Sequence, residues 1–373
     1  MTKAITLIAV ALLIAVGAHA QTDIQALKIR AEAGEVEAQF ILGYAYSQGK
    51  GVPQDLVEAI RWWRKAAEAG VAPAQLALGI AYYSGEGVPQ DLVEAIRWWR
   101  KAAEAGLADA QHMLGIAYSI GEGVLQNHRL SVQWYTKAAE QGDAEAQVKL
   151  GVAYSIGEGV PQNYRVAIQW YTKAAEQGLA IAQFNLGVAY GRGRGVPQNN
   201  AEAIRWYRKA AEQENAGAQY VLGLAYSQGE GVPQNHRLSV QWYTKAAEQG
   251  HVEAQVKLGY AYSQGKGVPQ NHRLSVQWYT KAAEQGDARA QLALGIAYFE
   301  GWGVKRNFTE AYIWFSLAKV GLDQMAAAAE ATQTASELIG GLLNEMTPAQ
   351  IQKAQDMALE RFNKIEARKV QNR

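Results

Sequence analysis

The chain of 373 residues contains no cysteine. Disulfides, thiolate zinc sites, iron–sulfur clusters, cysteine nucleophiles and a lipid-modified N-terminal cysteine are therefore excluded. Excess charge of either sign is also missing, with 36 basic against 35 acidic residues. Nucleic-acid binders normally carry a basic excess, and disordered acidic chains an acidic one. Beyond the first twenty residues no stretch is apolar enough to span a membrane. What the chain does have is 11 tryptophans and 19 tyrosines, too many for disorder and in need of burial.

The N-terminus reads as an address. Lys3 is followed by an uncharged apolar run from Ile5 to Val16, and Ala18-His19-Ala20 has the small-x-small form of a cleavage site. These are the parts of a secretory signal peptide, whose apolar run is short for a membrane span; an uncleaved anchor is the alternative. Cleavage after Ala20 leaves 353 residues without net charge. The mature protein is expected to be periplasmic or secreted, with no membrane span.

The rest repeats every 36 residues. Ala-Gln recurs from Ala38-Gln39 to Ala290-Gln291, and Leu-Gly from Leu42-Gly43 to Leu294-Gly295, eight times each in phase. A tyrosine follows (Tyr46 to Tyr298), then Gly-x-Gly (Gly49/Gly51 to Gly301/Gly303), then a tryptophan (Trp62 to Trp314). A period of this length indicates a solenoid, since one unit cannot bury its apolar face alone. Each unit reads as two helices. Helix A runs from about Glu35 to Gln48 and is broken by Gly49-Lys50-Gly51-Val52-Pro53. Helix B opens on Asp55 with Glu58 as a capping box, repeated at Asp91/Glu94, Asn199/Glu202 and Asn307/Glu310. Asn127, Asn163, Asn235 and Asn271 cap without the glutamate. Helix B stops at Gly70 and its equivalents, except where Glu214 stands instead and predicts a looser junction. Gly43 and its seven equivalents lie inside helices, at a cost of about 1 kcal/mol each relative to alanine. Close helix approach, with the register tryptophan over the missing side chain, is expected to offset it.

These residues resemble the Sel-one-like repeat (SLR) family, a relative of the tetratricopeptide repeat. The family pattern stands almost verbatim at Ala146–Gly178, and the resemblance covers about Glu35 to Lys319. The eighth copy departs after Leu317. The resemblance implies an all-α fold, an α/α solenoid wound as a right-handed superhelix, acting as a protein-interaction scaffold, often secreted or periplasmic in bacteria. A cysteine-rich branch is reported to bind or hydrolyse β-lactams; its bridging disulfides have no counterpart here. The organisation expected is a signal peptide (1–20), a capping half-repeat (21–34), eight repeats (35–70, 71–106, 107–142, 143–178, 179–214, 215–250, 251–286, 287–322) and C-terminal capping helices (323–373). Thr347-Pro348-Ala349-Gln350 opens the last of them as a capping box.

Candidate chemical sites are few. His128, His236 and His272 share one register, but neighbouring repeats lie roughly 10 Å apart, too far to share an ion. Ser47-x-x-Lys50 and Ser263-x-x-Lys266 match an acylation motif, yet each lysine falls in the glycine turn rather than on the serine's helix turn. Gly191-Arg192-Gly193-Arg194-Gly195 lacks P-loop spacing and occupies the ordinary turn position. The helical spacing of the tryptophans makes them core rather than a sugar-stacking ladder. No catalytic residue, cofactor or metal is expected.

Variation between the copies is more informative. Alanine 45 never changes, whereas three registers of helix A do. They include Met113, Lys149, Asn185, Val221 and Lys257; Glu145, Ile181 and Glu253; and Arg192 and Gln228. Offsets of four and seven residues place them on one helix face. In tetratricopeptide-like stacks that face is concave. It is expected to bind another protein or peptide, with the chain itself a monomer. The rival expectation is an envelope enzyme of the β-lactam-hydrolase or penicillin-binding type. Long stretches are identical copies, Gln126–Gly142 recurring at Gln234–Gly250 and Gln270–Gly286, which points to recent duplication.

Overall fold

In a computed structural model, residues 24–324 and 328–371 are described. The signal-peptide expectation at residues 1–20 lies outside them. The described residues form nineteen helices and no strands. The first, α1 (Ile24–Glu32), lies where the capping half-repeat is expected. Helix A of the eight repeats follows as α2 (Val36–Gln48), α4 (Ala72–Ser84), α6 (Ala108–Ile120), α8 (Ala144–Ile156), α10 (Ala180–Arg192), α12 (Ala216–Gln228), α14 (Val252–Gln264) and α16 (Ala288–Glu300). Helix B forms α3 (Leu56–Glu68), α5 (Leu92–Glu104), α7 (His128–Glu140), α9 (Tyr164–Glu176), α11 (Asn200–Glu212), α13 (His236–Glu248), α15 (His272–Glu284) and α17 (Phe308–Asp323). Two closing helices, α18 (Ala329–Glu345) and α19 (Pro348–Gln371), complete the chain. Among the described residues no helix is long and apolar enough to cross a membrane.

The chain divides into two compact units, residues 1–182 and 183–373. Each is a stack of helical hairpins, the architecture of an all-α solenoid. In the first, every core layer joins helix B of one repeat to helix A of the next. Ala59, Trp63 and Ala66 of α3 meet Ala74, Leu78 and Ala81 of α4, and Ile96 and Trp99 of α5 meet Leu114 and Ala117 of α6. The second unit repeats the scheme, with Tyr207 and Ala210 against Leu222 and Ala225, and Tyr243 and Ala246 against Leu258 and Ala261. Leu42 and its seven equivalents are at most 1% exposed and form the spine of these layers.

The helical glycines do face a ring, but not the one expected from the register. A methyl group on Gly43 or Gly79 would meet Trp63 or Trp99 at 2.5 or 2.2 Å. On Gly115, Gly151, Gly187, Gly223 and Gly259 it would meet Tyr135, Tyr171, Tyr207, Tyr243 and Tyr279, and on Gly295 it would meet Phe315. The filling ring is the residue after the invariant tryptophan, about 100° further round helix B. The tryptophan itself turns toward the preceding repeat: Trp98 joins the α3/α4 layer, and Trp134 the α5/α6 layer. A lysine three residues on lies over its ring, from Lys65 over Trp62 at 4.2 Å to Lys281 over Trp278 at 4.1 Å. In the eighth repeat Leu317 replaces that lysine. Arg361 of α19 supplies the cation instead, 4.6 Å from the Trp314 ring and 2.9 Å from Glu310.

The capping boxes at helix B are only half made. Asp55 accepts from the Val57 and Glu58 amides, but its own N–H donates to Tyr46 O at 3.0 Å, and Glu58 pairs with Arg61. The same bond to the tyrosine carbonyl closes all eight hairpins, so the reciprocal bond has no donor left to serve. At Thr347 both halves form, Thr347 N–H donating to Gln350 Oε1 at 2.8 Å and Gln350 N–H to Thr347 Oγ1 at 3.3 Å.

The junction at Glu214 is made like the others, contrary to expectation. Glu214 takes φ 63°, left-handed backbone, and the Glu214 and Asn215 amides reach Ala211 O and Ala210 O at 3.1 Å. Packing holds the turn, and the strain falls on one residue. Glu214→Gly is expected to stabilise the protein by about 0.5–1 kcal/mol. Denaturant titration checks this: an unchanged or lower midpoint contradicts it.

Candidate functional site: the helix A face

Each helix A is held rigidly from beneath by its invariant glutamine. Gln39, Gln75, Gln111, Gln147, Gln219, Gln255 and Gln291 are buried, and each donates to a carbonyl in the last turn of the preceding helix B at 3.0–3.2 Å. That carbonyl lies past the last i→i+4 bond of the helix and also accepts the amide three residues on, as Ala67 O does from Gly70. The glutamine oxygen in turn accepts from a second glutamine thirty residues on. Gln141 reaches Gln111 at 2.8 Å, Gln177 reaches Gln147 at 2.9 Å, and Gln249 reaches Gln219 at 2.8 Å. In the second repeat Ala105 stands in place of that donor, and the buried Gln75 Oε1 has no partner among the described residues. Ala105→Gln should supply the bond and stabilise the protein by about 1 kcal/mol. A thermal melt that moves down or stays put tells against it.

The opposite face of helix A is open. Lys149 and Lys257, Glu145, Ile181 and Glu253, and Arg192 and Gln228 are exposed; Met113, Asn185 and Val221 are half-buried. All ten predicted residues therefore lie on accessible helix A surface. Ile120 and Ile156, in the register of Arg192 and Gln228, are 59% and 60% exposed. Between the first two repeats this face opens into a cleft lined by Gln48, Ile60, Trp63, Ala77, Ile80 and Glu86, among others.

The phenols beneath the face are structural. Burial pushes Tyr135, Tyr207, Tyr243 and Tyr279 up to about 12, so they stay neutral at ordinary pH. Sequence reading missed one ionisable group there. His112 is 7% exposed, and its Nδ1 lies 3.1 Å from Asp143 Oδ2. Its Nε2 is buried without a partner among the described residues, and its ring meets Tyr135 edge-on at 5.8 Å. Burial pushes the Asp143 carboxyl up, but the hydrogen bonds from His112 and the Ala146 amide outweigh it and leave Asp143 below its usual 3.8. Asp109 beside it is raised, by burial and by the Asp143 charge. The signal was available: the other seven copies carry Phe, Leu, Val or Tyr at this register.

The histidines of the helix B register are not brought together. His128 Nδ1 lies 3.4 Å from Glu158, and His272 stacks on Trp302 at 5.7 Å. Among the described residues no cluster of His, Asp and Glu could hold a metal ion. Ser47 Oγ donates to Tyr44 O at 2.8 Å, and Lys50 lies over the Tyr44 ring. Ser263 and Lys266 treat Tyr260 the same way. Neither serine–lysine pair is joined by a hydrogen bond.

Three comparisons with known proteins place the repeat in a family. The Sel1 repeat family matches at residues 36–71, 72–107, 108–143, 144–179, 180–215, 216–251, 252–287 and 288–319. The crystal structure of a Sel1 repeat protein from Oxalobacter formigenes is similar with a TM-score of 0.67 and 35% identity, over 87% of this chain and 93% of that one. A protective antigen of uropathogenic Escherichia coli with an SLR fold aligns at 32% identity over 91% and 86% of the two chains, with a TM-score of 0.42. The secretory immunoglobulin A-binding protein EsiB of Escherichia coli O6:H1 is 41% identical over 54 residues, which is 14% of this chain and 11% of EsiB.

Proposed function

Because the chain belongs to the Sel1 repeat family, whose repeats mediate protein–protein interactions, we propose that it is a non-catalytic scaffold of the bacterial periplasm or extracellular space that binds a partner protein along the helix A face. One observation carries the reading. The buried Ala-Gln, Leu-Gly and alanine registers of helix A are the same in all eight repeats, whereas its exposed registers change between charged, polar and apolar residues. The contrast with identical solvent-facing stretches on helix B, such as Gln126–Gly142 and its copies, supports the reading. The N-terminal sequence supports export.

Site-specific photocrosslinking tests it. A crosslinker at Lys149 or Asn185 on helix A is expected to capture the same partner repeatedly from a periplasmic or host-cell extract. One at the exposed Gln133 on helix B is expected to capture little. Equal capture from both faces would end the proposal. A nitrocefin assay on purified protein tests the enzyme alternative, which no arrangement of side chains here favours.

A further inference from the structure

We propose that the helix A face of the first unit takes a basic, amphipathic segment of a partner protein, with one bulky apolar side chain seated in the cleft between the first and second repeats. This rests on the scaffold reading and adds the partner's chemistry. Three features of repeats one to four carry it.

The first is the floor. Met113, Ile116, Ile120, Val152 and Ile156 follow one another along α6 and α8, and all are exposed or half-buried. The second is the pair of margins. At the start of helix A stand Asp109 and Glu145; at the glycine turn stand Glu86, Glu122 and Glu158. The margins lie roughly 20 Å apart, the length of a thirteen-residue helix. Lys149 is the single lysine or arginine on helix A and its glycine turn in repeats two to four, where His112 and His128 lie beside Asp143 and Glu158. Two of the carboxylates are held in place, Glu122 by the Tyr83 hydroxyl at 3.1 Å and Glu158 by His128 at 3.4 Å. An apolar strip between two acidic edges complements a helix with an apolar face flanked by lysines or arginines, and repels nucleic acid.

The third feature is the cleft. Ala77 occupies the register that Met113 and Lys149 fill in the next two repeats. With only a methyl group there, space remains over Ile60, Trp63 and Ile80, and Ser84 and Glu86 stand at its edge. A side chain the size of leucine or phenylalanine, followed by a base facing Glu86, suits those walls.

The probe is a fluorescein-labelled amphipathic peptide of leucine and lysine, titrated against the full mature chain by anisotropy. Saturable binding that weakens with salt is expected. Ala77→Met, a residue the register already tolerates, is expected to weaken binding about tenfold or more by filling the cleft. The triple change E86Q/E122Q/E158Q is expected to weaken it about tenfold and flatten the salt dependence. Far-UV circular dichroism confirms that both variants stay folded. A leucine–glutamate peptide is expected not to bind. Unchanged affinity in both variants, or equal affinity for the acidic peptide, overturns the inference. If helix A crosslinks persist while the basic peptide fails, this inference falls and the scaffold reading stands. If capture shows no preference for helix A, both fall.

Discussion

Trp99→Ala is expected to destabilise the protein by about 3–5 kcal/mol, the range for emptying a fully buried aromatic position. Trp99 is 3% exposed, and its ring lies where a methyl group on Gly79 would sit. Removing the ring leaves a void against a glycine, which has no side chain to move in. Trp99→Tyr should cost far less, because repeats three to seven use tyrosine at this place. Urea titration measures both. If alanine and tyrosine cost the same, the ring does not fill the glycine gap.

The second large effect is at Gly159. It has φ 72°, and an added methyl group would meet the His128 carbonyl oxygen at 2.3 Å and carbon at 2.5 Å. Those atoms are backbone of the preceding helix B, so neither neighbour can swing aside. Left-handed strain of about 1–2 kcal/mol adds to overpacking of about 1–3 kcal/mol, so Gly159→Ala should cost about 2–5 kcal/mol. Gly157, the first glycine of the same turn, meets only Gln162 at 3.3 Å and should show little beyond the strain. Equal costs at the two positions would mean that close stacking of repeats is not what the second glycine serves.

The sequence pattern made the repeat, its two helices and the terminal helices plain. Apolar spacing, glycine stops and asparagine or aspartate caps are local signals, read without knowing the neighbours. The misread points all depend on a neighbour. Which of two adjacent aromatic residues covers Gly43 is decided by 100° of rotation about helix B, and the more constant residue was the wrong choice. The Glu58 half of the capping box was lost to a carbonyl nine residues upstream of its intended partner's amide, Tyr46 O on another helix. Glu214 accepted a glycine conformation because the turn's hydrogen bonds require it. On the candidate face, period alone placed seven of the ten residues on exposed helix A surface, while Met113, Asn185 and Val221 are half-buried. The cleft at Ala77 was not visible, because it results from a small residue where the neighbouring repeats have large ones. The buried His112–Asp143 pair joins two repeats, thirty-one residues apart.

Nearest-neighbour contacts hold a solenoid together, which makes its hairpins interchangeable units. Deleting residues 251–286 tests it most directly. Gly250 then precedes Asp287, as Gly286 does now, and the helix B that meets α16 and α19 has an unchanged sequence. A monomeric, shorter protein with the same helicity per residue and a cooperative melt is expected. A product that binds hydrophobic dye, melts without cooperativity or precipitates would contradict it.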